Sequence, residues 1–391
     1  MAGLYIHLPF CKSRCIYCAF YSTTQHERMD DYVTALCKEM ELRSTPPSSF
    51  HIPHSTLHTI YLGGGTPSQL PPVLLRRLFL NIYKVYEVAT DAEITMECNP
   101  DDITPDYAQV IGELPINRVS MGAQTFSDER LRFLHRRHNS HQVREAVDLL
   151  RQNGIQDISI DLMFGFPGET IQDWEQDIHD AHALDVEHLS AYSLMIEEGT
   201  ELYRRYGDAG VREYENSKEE LEREMYETLI DRLTAAGYDH YEISNFAKKG
   251  FRSRHNSSYW NDTPYIGIGA AAHSYCPPTL HPQGLGKRSW NVADIKAYIE
   301  GMKQGKRLFE EETIDADTHY NDLVTVALRT REGLDLSVLS EKHRSYAIKN
   351  ARRFINDGLL ELTDNHLHLT RRGLFVSDMI MTELITLQQS S

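Results

Sequence analysis

Cysteine is scarce in this chain: six in 391 residues are too few to staple a fold with disulfides. Three of the six crowd into the eight positions 11–18. In a reducing compartment that clustering points to metal or redox chemistry rather than to bridges. No apolar run approaches the roughly 20 residues needed to cross a bilayer. The N-terminus offers no basic stretch followed by an apolar core, which argues against a signal peptide and for a cytoplasmic protein. Positive charge is in deficit, with a formal net charge of −17. A polyanion is therefore excluded as the main partner, because neutralising a phosphate backbone needs surplus Lys and Arg. There is no low-complexity tract. What remains is an ordinary soluble composition, 41% apolar and 25% charged, long enough for one large α/β domain and a smaller second one.

Short β-rich runs alternate with amphipathic helical stretches through the first two-thirds. The strands are expected at Leu4–Leu8, Thr59–Leu62, Glu93–Glu97, Arg118–Met121, Ile158–Met163 and His188–Ser193. Helical patterns lie between them at Pro72–Tyr86, His141–Gln152 and Ile171–Leu184, the last entered through a Thr170 cap with Asp173 three residues on. Six βα units in succession imply an α/β fold with a parallel sheet, open or partly closed. The polar segment His51–His58 reads as a solvated loop. A charged helix is expected over Asn216–Ala236, then an aromatic-rich stretch, Tyr238–Tyr275. After a Pro/Gly-rich break, short helices lead to two alternating strands around Asp364-Asn365, which read as a wing on a small helical domain. The boundaries drawn are 1–235, 236–300 and 301–391. From Gly301 onward 12 basic residues stand against 14 acidic ones, too balanced for a nucleic-acid reader.

Cys11-x3-Cys15-x2-Cys18 follows the first strand in a tight loop. Thiolates are the usual ligands of iron–sulfur cubanes, and three of them leave one iron open. A zinc site that adds His7 is the alternative left by residue types alone. The polar residues at later strand ends, Glu97, Gln124 and Asp161, stand where parallel βα folds put their chemistry. Gly63-Gly64-Gly65-Thr66 ends the second strand, and its freed N–H groups are expected to meet a ligand head group.

The cysteine spacing after an initial strand resembles the radical S-adenosylmethionine (SAM) superfamily. Tyr5-Ile-His-Leu-Pro-Phe-Cys11 and Ile16-Tyr17-Cys18-Ala19-Phe20 look like the subgroup that contains oxygen-independent coproporphyrinogen III oxidase and the heme chaperone HemW group. The resemblance covers essentially the whole chain. It implies a parallel (β/α)6 partial TIM-like barrel with a small C-terminal helical, winged-helix-like domain. It also implies a [4Fe-4S] cluster on Cys11, Cys15 and Cys18. The positions it matches to SAM contacts are Tyr5, Tyr17, Gly64, Gly65, Thr66, Glu97, Gln124, Arg136, Asp161 and Met195.

His255-Asn-Ser-Ser-Tyr259-Trp260 resembles the His-Asn-x-x-Tyr-Trp signature of the heme chaperones. Imidazole suits heme iron, and Tyr and Trp offer flat surface to a macrocycle. The oxidase carries a further cysteine two residues past the third ligand, where this chain has Phe20, and an N-terminal extension for which only four residues precede Tyr5. The expectation is therefore a heme carrier that keeps exchangeable SAM and a cluster. Its implied partners are heme, a heme-accepting protein and an electron donor for the cluster, with room for a homodimer. Delivery would allow transient membrane contact, although no basic amphipathic anchor supports one. The alternatives are radical decarboxylation of coproporphyrinogen propionates, or another radical SAM reaction.

Overall fold

The computed structural model describes residues 2–44, 56–281 and 284–386. Six parallel strands, β1 (Ala2–Leu8), β2 (Leu57–Gly64), β3 (Val88–Cys98), β4 (Arg118–Gln124), β5 (Asp157–Phe164) and β6 (His188–Ser193), lie side by side in chain order. The connections carry α1 (Met29–Ser44), α2 (Pro72–Val85), α3 (Pro105–Glu113), α4 (Asp128–Phe133), α5 (Ser140–Gln152) and α6 (Ile171–Ala183). The expected strands and helices all form, within a few residues. Thr170 caps α6 by accepting from the Asp173 N–H, while the Asp173 carboxylate accepts from the Thr170 N–H. Of the predicted loop, His51 and His54 lie outside the described residues; His58 belongs to β2.

Strand alternation decides what faces inward. One face of the sheet carries Leu4, Ile6, Ile60, Leu62, Ile94, Met96, Val119, Met121, Ile158 and Ile160, all buried in one apolar core with the helices. The pleat sends the intervening residues to the opposite face. These are Tyr5 and His7, Thr59 and Tyr61, Glu93 and Glu97, Arg118, Asp157 and Asp161, and His188, paired across strands in register. The barrel interior is therefore polar from end to end.

The charged helix expected over Asn216–Ala236 is the second part of a longer α7 (Glu201–Ala235), 35 residues in all and kinked at Gly207, where φ is 64°. Segment 236–300 extends both edges of the sheet. β7 (Asp239–Glu242) and β8 (Asn245–Ala247) add beyond β6, and β9 (Tyr265–Ile268), β10 (His273–Cys276) and β11 (Gly286–Asn291) add beyond β1. It also carries α8 (Arg254–Tyr259) and the start of α9 (Ile295–Lys303). β12 (Phe309–Ile314) completes a twelve-stranded sheet with β12 and β7 as its two edges, so the barrel is open. β12 falls inside 301–391 yet belongs to the large sheet, which places the start of the second core after it.

That second core packs α10 (Ala316–Ala327), α11 (Glu341–Asn356), the short α12 (Arg371–Leu374) and α13 (Ser377–Leu384) around Val324, Phe354 and Ile380. Its sheet joins β13 (Leu334–Asp335), β15 (His366–Leu369) and β14 (Leu360–Thr363). Asp364 and Asn365 turn the wing with φ of 50° and 67°, the left-handed pair that a two-residue hairpin turn requires.

Candidate functional site

The cysteine loop is anchored by Ile16, which is fully buried against Leu134 and Leu202. Its N–H donates to the Leu134 carbonyl and its carbonyl accepts from the Leu202 N–H. This pin lets the cysteines flank a cavity of about 190 Å3 at the C-terminal ends of β1–β5. Thr66 Oγ1 donates to Cys11 Sγ at 3.4 Å and Arg136 Nη1 to Cys15 Sγ at 3.6 Å. Phe20 sits at the rim, 72% exposed.

Among the described residues, no three His, Cys, Asp or Glu side chains converge on a single-ion site. A mononuclear zinc would draw its ligands to one point about 2.0–2.3 Å away, whereas cubane ligands bond separate irons. His7 is no fourth ligand here: Tyr5 Oη is 3.0 Å from its Nδ1, and its Nε2 is 3.0 Å from the Tyr21 carbonyl. Burial lowers its pKa to about 4, keeping it neutral. The three-cysteine loop beside a polar cavity fits a cluster with one open iron, and the zinc alternative loses its histidine.

Around the same cavity stand Tyr17, Gly64, Gly65, Thr66, Glu97, Gln124, Arg136 and Asp161. Glu97 accepts from Tyr61 Oη at 2.8 Å and from the Gly64 N–H at 3.0 Å. Burial nonetheless lifts its pKa to about 7, and that of Asp161 to about 6. Gln124 holds φ of 68° at a bulge in β4, a left-handed position that a non-glycine adopts at a cost of about 1–3 kcal/mol. Such strain is typical of ligand sites. Arg136 donates to Asn99 Oδ1 at 2.8 Å, while its buried Nε has no protein partner. The adjacent Arg137 is tied to Asp101 and Asp102 at 2.9 and 3.0 Å, so Arg136 is the arginine that faces the cavity. Carboxylates, an orphan guanidinium nitrogen and space suit a zwitterionic amino acid head group, and the residues present fit SAM.

Three expectations change. The glycine N–H groups are not free: Gly64 donates to Glu97, Gly65 to the Leu8 carbonyl and Thr66 to the Phe10 carbonyl. The glycines give room instead. A Cβ on Gly64, where φ is 114°, would come within 2.6 Å of the His7 ring, and one on Gly63 within 2.8 Å of Tyr61. Tyr5 lies outside the cavity lining, paired with Tyr61 at 6.2 Å between ring centroids. Met195 is 63% exposed, also outside that lining. Tyr61 had no motif to announce it; it stands in register with Thr95, two residues short of Glu97 on the same face of the sheet.

The His-Asn-x-x-Tyr-Trp segment forms α8 beneath the opposite end of the barrel. His255 is fully buried. Its Nδ1 lies 2.8 Å from Thr59 Oγ1 and its Nε2 2.8 Å from Tyr259 Oη. Burial, reinforced by the Arg118 cation, lowers its pKa to about 3. The imidazole expected to meet heme is thus neutral but has both nitrogens engaged. Trp260 lies under the Arg329 guanidinium at 5.1 Å, and its buried Nε1 has no protein partner.

Comparison with known proteins adds findings of three kinds. Residues 5–181 match the Radical SAM superfamily and residues 314–376 the HemN C-terminal domain. The chain is 33% identical to the heme chaperone HemW of Bacillus subtilis (strain 168), over 97% of this chain and 98% of that protein. It is also 33% identical to the heme chaperone HemW of Escherichia coli (strain K12), over 76% of each. Coproporphyrinogen III oxidase (HemN) from Escherichia coli, a radical SAM enzyme, superposes with a TM-score of 0.81 at 22% identity, covering 98% of this chain and 90% of that one, which establishes the shared fold.

Proposed function

The chain belongs to the heme chaperone HemW family within the radical SAM superfamily, and from that premise we propose that it binds heme and passes it to an acceptor protein. Near full-length similarity to named heme chaperones carries this reading. Cys11, Cys15 and Cys18 would hold a [4Fe-4S] cluster, and Glu97, Gln124, Arg136 and Asp161 would orient SAM beside its open iron. The bound cluster would supply one-electron chemistry to the sulfonium, given an electron donor. The positive charges of SAM favour ionised Glu97 and Asp161, offsetting the burial that holds their pKa values up.

Heme would be held through His255, with Tyr259 and Trp260 beside it. Because His255 is sealed in the resting arrangement, ligation there requires one of its two hydrogen bonds to break and α8 to shift. Phe20 in place of a further cysteine speaks against coproporphyrinogen oxidation. No helix among the described residues is long and apolar enough to cross a membrane. We place the protein in the cytoplasm, with transient membrane contact during delivery and a homodimer as secondary expectations.

The test supplies anaerobically reconstituted protein with hemin or with coproporphyrinogen III, plus SAM and a reductant. Stoichiometric hemin uptake, weakened in His255→Ala, with no protoporphyrinogen formed, is the expected outcome. Turnover to protoporphyrinogen would replace the chaperone reading with an oxidase.

A further inference from the structure

The SAM cavity and the heme motif lie at opposite ends of the barrel, and one side chain touches both. Tyr61 donates its hydroxyl to Glu97 Oε1 at 2.8 Å, and Glu97 lines the cavity. The Tyr61 ring lies against His255, with centroids 5.1 Å apart and planes 25° from parallel. Tyr61 is buried, so neither contact is diluted by solvent. Gly63 makes the arrangement possible, since a Cβ there would press on Tyr61 at 2.8 Å and on Glu97 at 3.0 Å.

We propose that Tyr61 couples the two sites, so that SAM bound against Glu97 holds His255 shut and lowers the affinity for heme. This rests on the reading that heme ligates His255. The physical steps are short. A ligand that engages Glu97 fixes its carboxylate, and with it the Tyr61 hydroxyl and ring. A fixed ring keeps the stack on His255, which must be lost before an imidazole nitrogen can leave Thr59 or Tyr259 for iron. The two-state element is the His255 ring, closed on Thr59 and Tyr259 or released. Coupling of this kind is reciprocal, so heme also weakens SAM binding. A chaperone built this way discharges heme when SAM arrives.

The experiment measures the hemin dissociation constant of cluster-reconstituted protein by absorbance titration, with and without saturating SAM. SAM is expected to weaken hemin binding by about 5-fold or more, the lower range of measured couplings. In Tyr61→Phe, which keeps the ring but cannot reach Glu97, the ratio should fall to about one. Taking the ratio within each protein removes any change in either affinity alone. No SAM effect in the parent, tighter hemin binding with SAM, or a full effect retained in Tyr61→Phe would each overturn the coupling. Thr59→Val removes one bond of the closed state and should tighten hemin binding without SAM; unchanged or weaker binding would overturn the latch. If His255→Ala binds hemin as tightly as the parent, the ligand reading itself fails, an outcome distinct from a parent that needs His255 yet ignores SAM.

Discussion

The two ends of the barrel are built from the same alternating strands and the same kinds of polar residue, yet they have opposite fates. At the mouth, Glu97, Gln124, Arg136 and Asp161 face a cavity, and the buried Arg136 Nε is left without a protein partner. At the floor the polar groups face other protein groups instead of a cavity, although Arg118 Nε and Nη1 and Asp157 Oδ1 make no hydrogen bond. Glu93 accepts from the N–H groups of Arg254 and His255 at 2.7 and 2.9 Å, capping α8. His188 lies between Ser159 Oγ at 2.7 Å and Tyr241 Oη at 2.8 Å. The difference is α8, which covers one end; among the described residues none that lines the cavity at the other end belongs to an α-helix. A polar interior becomes a site where the fold leaves it uncovered and a seal where the fold closes over it.

The largest expected effect is at the mouth. Cys15→Ala should lose most of its iron and acid-labile sulfide after anaerobic reconstitution, because two thiolates cannot hold three corners of a cubane. A full complement of both would contradict the ligand assignment. Folding should survive, since Cys15 is only partly buried and the loop is pinned by Ile16. The floor should respond the other way. Glu93→Gln removes the charge facing the buried Arg118 and one acceptor for the start of α8. Leaving a buried N–H donor of α8 without its acceptor costs about 1–3 kcal/mol, measurable by denaturant titration of the apoprotein. A cost below about 1 kcal/mol would show that the floor is wet, and the contrast between the ends would disappear.

Much of the mouth was legible in the sequence because its signals are local. Three cysteines in eight residues, a glycine triplet and a run of strand ends each announce themselves within one segment. The wing was legible for the same reason, since Asp364-Asn365 sits between two alternating strands. The floor was not. His255 meets Thr59 from 196 residues away, and no periodicity encodes that distance. A motif match assigned His255 a heme ligand's role, while burial and two hydrogen bonds give it a sealed resting place. The glycine triplet misled differently: its residue types were right, but the N–H groups expected to be free serve Glu97, Leu8 and Phe10. The edge position of β12 was hidden too, because Phe309–Ile314 follows the boundary that composition suggested and pairs back onto the large sheet.

A subtler break uses pH. Burial raises Glu97 from its ordinary 4.5 to about 7, so between those values the folded protein holds a proton that the unfolded chain has released. Stability linked to this group is complete below pH 4.5, declines as pH rises, and is lost above about 7. The shift from 4.5 to about 7 corresponds to roughly 3 kcal/mol at about 1.36 kcal/mol per unit. Relative to Glu97→Gln, the SAM-free parent should therefore lose stability across that window. The constant cost of the amide, which offers one acceptor where Tyr61 and Gly64 supply two donors, cancels in the pH trend. A flat difference would mean that the cavity solvates Glu97 as well as bulk water does.

The smallest effect is expected at Met195, just beyond β6. It was matched to a SAM contact, yet it is 63% exposed and stands outside the cavity lining. Met195→Ala should leave stability within about 0.5 kcal/mol, as surface changes do. It should change SAM affinity by less than tenfold, that is by under about 1.4 kcal/mol, as read by equilibrium binding to the reconstituted protein. A larger loss would carry more information than the expected result. It would mean that the chain after β6 folds over the ligand, giving the mouth a cover that forms on binding where the floor has one built in.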